Sequence, residues 1–161
     1  MSRSLAPLAI LVSAAALLVG CASTPAPVSV ADTTARTPQL STLNKLLTDA
    51  GMGDSLRQAG PYTVFAPSDE AFKAVPPKTL AELSSNKDML KSVLSYHVLP
   101  GKVTAADVKN GNAKTVQGAD VALSKSGTFV TVEDAMVTQP DVPASNGVVH
   151  IIDRVLMPPK R

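Results

Sequence analysis

The sequence predicts an α+β domain on two observations. Apolar residues recur at helical spacing through the first half of its globular part, then alternate at strand spacing through the second. Thr37 is placed to cap a helix with Pro38 in its first turn. Leu40, Leu43, Leu46, Leu47 and Ala50 form the apolar stripe of that helix, which ends at Gly51. A short amphipathic piece from Met52 to residue 59 precedes the Gly60-Pro61 break. Tyr62 to Ala66 is β-branched and aromatic and reads as a strand, which Pro67 stops. Ser68 then suits a helix N-cap, with Asp69 and Glu70 where the helix dipole favours negative charge. Beyond Pro76-Pro77 a helix is expected over Lys78 to Leu83. Asn86 caps another that runs through Ser95 and buries Met89, Leu90, Val93 and Leu94. Thr104-Ala105-Ala106-Asp107 has the pattern of a further helix start. Strands are expected over 114–116, 120–125, 128–133 and 135–138, with Gln117-Gly118 and Ser126-Gly127 as turns between them. Asn146-Gly147 is a turn signal opening a nearly unbroken apolar run that Pro158-Pro159 ends. Such a run suits a strand buried on both faces, where His150, Asp153 and Arg154 need partners or an edge.

The amino terminus carries a different signal. Arg3 precedes an apolar stretch from Leu5 to Val19, shorter than the roughly 20 residues a spanning helix needs, so residues 1–20 read as a secretory signal. It ends in Leu18-Val19-Gly20-Cys21, which resembles a bacterial lipobox, cut after Gly20 once Cys21 has received a diacylglyceryl group. Cys21 is the sole cysteine, so an internal disulfide is excluded. Ala22 follows where aspartate would suggest inner-membrane retention, and by analogy with Gram-negative sorting this favours the outer membrane. Residues 21–36 are expected to be a lipidated N-terminus and disordered tether. The Pro, Ala, Thr, Ser and Val composition of 23–37 shows no periodicity, and a coil of that length reaches at most about 50 Å. The folded domain is expected over 37–158, with a tail at 159–161.

Two blocks, Tyr62-Thr63-Val64-Phe65-Ala66-Pro67-Ser68-Asp69-Glu70-Ala71-Phe72 and Asn146-Gly147-Val148-Val149-His150-Ile151-Ile152-Asp153-Arg154-Val155-Leu156-Met157-Pro158, resemble in order and separation the two signature boxes of the fasciclin (FAS1) domain family. Tyr96-His97-Val98-Leu99-Pro100-Gly101 between them is similar to the tyrosine-histidine segment of that family. The resemblance covers about residues 37 to 158. It implies a wedge-shaped β-sandwich with helices packed alongside the first half of the domain, and adhesion rather than catalysis. It further implies partner contact at Tyr96 and His97, and at Asn86-Lys87-Asp88-Met89, which resembles an integrin-contact motif of animal members with Met89 in place of isoleucine. Each has a structural reading beside it. A tyrosine next to a histidine suits a strand entering a core, and Asn86 with Asp88 suits a helix start.

Charge and composition narrow the functional classes. Without Arg3 the mature chain carries 14 basic and 13 acidic side chains, with few aromatic residues, which argues against nucleic-acid binding. Ser68, His97, His150, Asp69 and Asp153 could supply a catalytic triad. No glycine-rich elbow surrounds a serine, however, and the two histidines lack a metal-ligand spacing. Neither an enzyme, a metal nor a cofactor is expected. The expected function is a lipid-anchored module of the bacterial envelope, at the cell surface or in the periplasm. It would bind an envelope or matrix protein or polysaccharide through its surface, and weak self-association is compatible with that. A periplasmic small-ligand carrier or sensor is the alternative, and a hydrolase the more distant one.

Overall fold

A computed structural model describes residues 28–58 and 60–159. In chain order its elements are α1 (Val30–Arg36), a 3-10 turn (Pro38–Leu40), α2 (Ser41–Asp49), α3 (Gly53–Gln58), β1 (Tyr62–Pro67), α4 (Asp69–Ala74), α5 (Pro77–Ser85), α6 (Lys87–Tyr96), β2 (Val98–Pro100), β3 (Gly111–Lys114), β4 (Asp120–Ser126), β5 (Phe129–Val132), β6 (Ala135–Ala144) and β7 (Gly147–Ile152). The strands form a seven-stranded sheet in the order β2-β1-β7-β6-β5-β4-β3. The sole parallel pairing in that sheet is β1 with β7, and it joins the two boxes.

β1 and β7 are almost wholly buried because each faces a core on both sides. Val64, Ala66, Val149 and Ile151 pack under the helices with Leu40, Leu43, Leu46, Leu47, Leu90 and Leu94. Their alternates Phe65 and Ile152 face a second core built with Val121, Leu123, Val130 and Val132 of β4 and β5. The sheet therefore folds back on itself as a sandwich, with helices against the outer face of its β1–β7 half. β6 makes the fold possible: it pairs with β5 at one end and β7 along the rest, through two register shifts and with Asp141 at φ +54°. Val116 N–H donates to the Val98 carbonyl at 2.8 Å, linking the far ends of the sheet.

The structure corrects several expectations. Residues 30–36 of the expected tether are helical, with Val30, Ala31, Thr33 and Thr34 buried. Ser29 caps this helix by accepting the Asp32 N–H. Thr104–Asp107 makes one hydrogen-bonded turn and no helix. β3 lies at 111–114, ahead of the expected 114–116. β6 runs past Thr138 through Pro140, which lies at a register shift, and Pro143, which pairs with Val148 where β5 no longer flanks the strand. The last apolar run ends as a strand at Ile152, and Asp153 and Arg154 are exposed in a bend. The signal segment, Gly20 and Cys21 lie outside the described residues, as does the tail beyond residue 159.

Candidate functional site

Parallel pairing sets the two boxes in register, Tyr62 beside Gly147 at one end and Pro67 beside Ile152 at the other. At the first end a Cβ on Gly147 would lie 1.9 Å from the Tyr62 carbonyl oxygen, so only glycine fits. The β6–β7 hairpin turns on Ser145 and Asn146, and Gly147 is already strand. Asn146 ties this end together: its Oδ1 accepts the Val30 N–H at 2.8 Å, its Nδ2 donates to the Leu56 carbonyl, and its own carbonyl accepts the Tyr62 N–H.

At the second end Ser68 caps α4 as expected, accepting the Ala71 N–H at 3.2 Å. Asp69 does more than favour its own helix. Its carboxylate accepts the Thr42 N–H at 2.8 Å and the Ser41 hydroxyl at 2.7 Å, capping α2 from 27 positions away, whereas Thr37 makes no side-chain cap bond. Partial burial pushes its carboxyl up, but these hydrogen bonds outweigh that and hold it below the usual range. Asp153 accepts the Met136 N–H at 2.7 Å, fixing the turn after β7 to β6.

Both histidines are consumed by the backbone. His97 closes α6 with its Nδ1 2.7 Å from the Val93 carbonyl, and its Nε2 accepts the Leu156 N–H at 3.0 Å. Nδ1 therefore carries the proton. His150 has the opposite tautomer: Nε2 donates to the Val103 carbonyl at 2.8 Å and Nδ1 accepts the Asp141 N–H, while the ring stacks on Phe65. Burial lowers the affinity of both for a proton, His97 to about 4. Thr63, a residue the sequence reading did not single out, accepts the Val103 N–H at 2.7 Å. Val103 is thus pinned by one buried side chain from each box. Neither imidazole nitrogen is left for Ser68, Asp69 or Asp153, so these residues form no triad.

Tyr96 and His97, where partner contact was expected, are 3% and 2% exposed and face the interior. Tyr96 ends α6 inside the sandwich core, its hydroxyl 3.0 Å from the Glu133 carboxylate. Burial, followed by that carboxylate, pushes the phenol up to about 12. Asn86, Lys87 and Asp88 are exposed and Met89 is half-buried. Asn86 also caps α6, accepting the Asp88 and Met89 N–H groups at 3.1 Å.

The surface bears open grooves of about 250 to 520 Å³. The 520 Å³ groove lies where the boxes end, between Ser68, Asp69, Glu70, Lys73, Thr138 and Asp153. A second groove, of about 420 Å³, is more apolar and lies between Ala71, Ala74, Val75, Pro76, Val155 and Met157. Among the described residues no cluster of His, Cys, Asp and Glu is arranged to hold a metal ion.

This architecture defines an α+β domain built on two paired boxes, with its polar chemistry turned inward. Residues 38–158 match the fasciclin domain family, and the chain belongs to it. It is 39% identical to Protein sll1483 of Synechocystis, over 88% of this chain and 80% of that one. It is also 39% identical to the immunogenic protein MPB70 of Mycobacterium bovis, over 83% and 69% of the two chains. With the cell surface glycolipoprotein MPB83 of the same species identity is 36%, over 81% of this chain and 60% of that one. Among solved structures the FAS1 domain pair of the insect cell adhesion molecule Fasciclin I superposes with a TM-score of 0.65 at 19% identity. That match covers 81% of this chain and 51% of the pair, and it supports the fold alone.

Proposed function

We propose that the protein is a lipid-anchored binding module of a bacterial cell envelope, held through Cys21 and recognising an envelope or matrix protein or polysaccharide by its surface. The observation that carries this reading is the commitment of His97, His150 and Tyr96 to internal hydrogen bonds, which leaves recognition to exposed groups. The relative described as a cell surface glycolipoprotein supports the same assignment. The exposed start of α6, Asn86-Lys87-Asp88 with Met89, is the contact segment in this reading, and the outer membrane is the location. Weak contacts, including self-association, are multiplied by many tethered copies on one membrane, so no single site need be tight.

The test is a deletion strain assayed for aggregation and attachment to several surfaces. Loss that is restored by the wild-type gene supports the reading, and unchanged attachment throughout overturns it. The double variant Lys87→Ala/Asp88→Ala assigns the contact segment: attachment falls while the unfolding free energy stays within about 0.5 kcal/mol of wild type, as for surface substitutions.

A further inference from the structure

Helix α1 shortens the lead between lipid and fold. Sequence composition alone allows a tether long enough for the domain to present any side. Val28 is the first described residue, its carbonyl accepts the Ser145 N–H at 2.8 Å, and Val30 N–H is held by Asn146. The folded unit is thus entered at the pole where β1 and β7 begin. Only residues 22–27 lie between Cys21 and that pole, and fully extended they span at most about 25 Å. A domain of about 130 residues has a radius of gyration of about 14 Å, hence a diameter of about 35 Å. The lead is too short to pass around the globule.

We infer that the anchored protein stands on its membrane with the Val28–Ser145–Asn146 pole toward the lipid. The opposite pole, with the polar groove between Ser68, Asp69, Glu70 and Asp153, then faces away from the membrane. The two poles are separated by the length of β1, whose six residues span about 20 Å. This orientation rests on acylation of Cys21, the attachment in the proposed function.

The full-length lipidated protein in phosphatidylcholine vesicles provides the test. Cys21 is the sole cysteine and its sulfur is alkylated in the lipoprotein, so a maleimide donor labels only an introduced thiol. Ser145→Cys and Glu70→Cys place that donor at exposed positions on the two poles, and a headgroup-labelled lipid accepts the energy. Transfer is expected to be stronger from position 145 than from position 70. Insertion of about a dozen Gly and Ser residues after Ala26 should make the two converge, because the lead then exceeds the diameter of the domain. Equal transfer, or stronger transfer from position 70, in protein that floats with the vesicles overturns the orientation while leaving the anchor intact. Failure of the wild type to float, matching a Cys21→Ala control, overturns the anchor and the orientation with it.

Discussion

At Gly147 even a methyl group would lie 1.9 Å from the Tyr62 carbonyl oxygen, and the obstacle is backbone at the centre of the sheet. Gly147→Ala is therefore expected to cost more than about 3 kcal/mol, read as a collapse of the urea midpoint or loss of folded protein. The Asn146-Gly147 pair was legible in the sequence as a turn. The reason for its glycine was not, because the close approach depends on a strand 85 positions earlier. The histidines carry a second prediction. Both are held neutral by burial, His97 with its value lowered to about 4, whereas an unfolded histidine titrates near about 6.5. Between those values the unfolded chain binds more protons, so the stability His97 contributes is full above about pH 6.5 and is lost as pH falls toward about 4, and His150 acts in the same direction. Urea midpoints should drop from pH 7 to pH 5. His97→Asn should be less stable at pH 7 by about 1 to 3 kcal/mol, since Leu156 N–H loses its acceptor. It should also lose less over that interval, with His150 left to titrate; an unchanged pH response would refute the assignment.

Helix α1 shows which secondary structure the sequence conceals. Val-Ala-Asp-Thr-Thr-Ala-Arg is short, rich in β-branched residues and without a clear apolar stripe, so composition favours a linker. The one local signal is Ser29-x-x-Asp32, whose side chains do bond to each other at 2.7 Å. The helix is completed by tertiary contacts, through Asn146 and by burial of Val30 and Ala31 against the helical core. A fragment starting at residue 37, the boundary that composition suggests, should be less stable by several kcal/mol than one starting at Val28, measured by chemical denaturation. Equal stability would make α1 an ornament. By contrast, α6 and its Asn86 cap were legible because cap and apolar stripe are both local. Asp69 falls between these cases: its own helix was legible, its capping of α2 was not. Asp69→Asn should cost about 1 kcal/mol at neutral pH. Because the native carboxyl titrates below its unfolded value near 3.8, that stabilisation is present above this pH and is lost in the wild type as pH falls through the native value. Thermal midpoints of the variant should therefore lack this acid-labile component.

The sandwich was readable in outline from the two boxes and the alternation of β4 and β5, but its closure was not. β6 contains Pro140 and Pro143, which locally argue against a strand, and only the bulged pairing with β7 shows how one strand serves both half-sheets. The result is a domain whose histidines and box residues hold loops to strands, and the proposed function joins it to lipid through Cys21. Such a body gains by being anchored in many copies. Joining weak sites on one membrane raises avidity by about 10² to 10⁴ without any new contact. Replacing Cys21 with Ala should therefore release the protein from the envelope and lower cell attachment by a comparable factor. Its thermal midpoint should stay unchanged, because the described fold builds its core and its hydrogen bonds from residue 28 onward. Quantitative attachment assays with wild-type and Cys21→Ala strains at matched protein levels decide the matter. If the released domain supports attachment as well as the anchored one, a single tight site must carry the binding, and the argument from multiplicity fails.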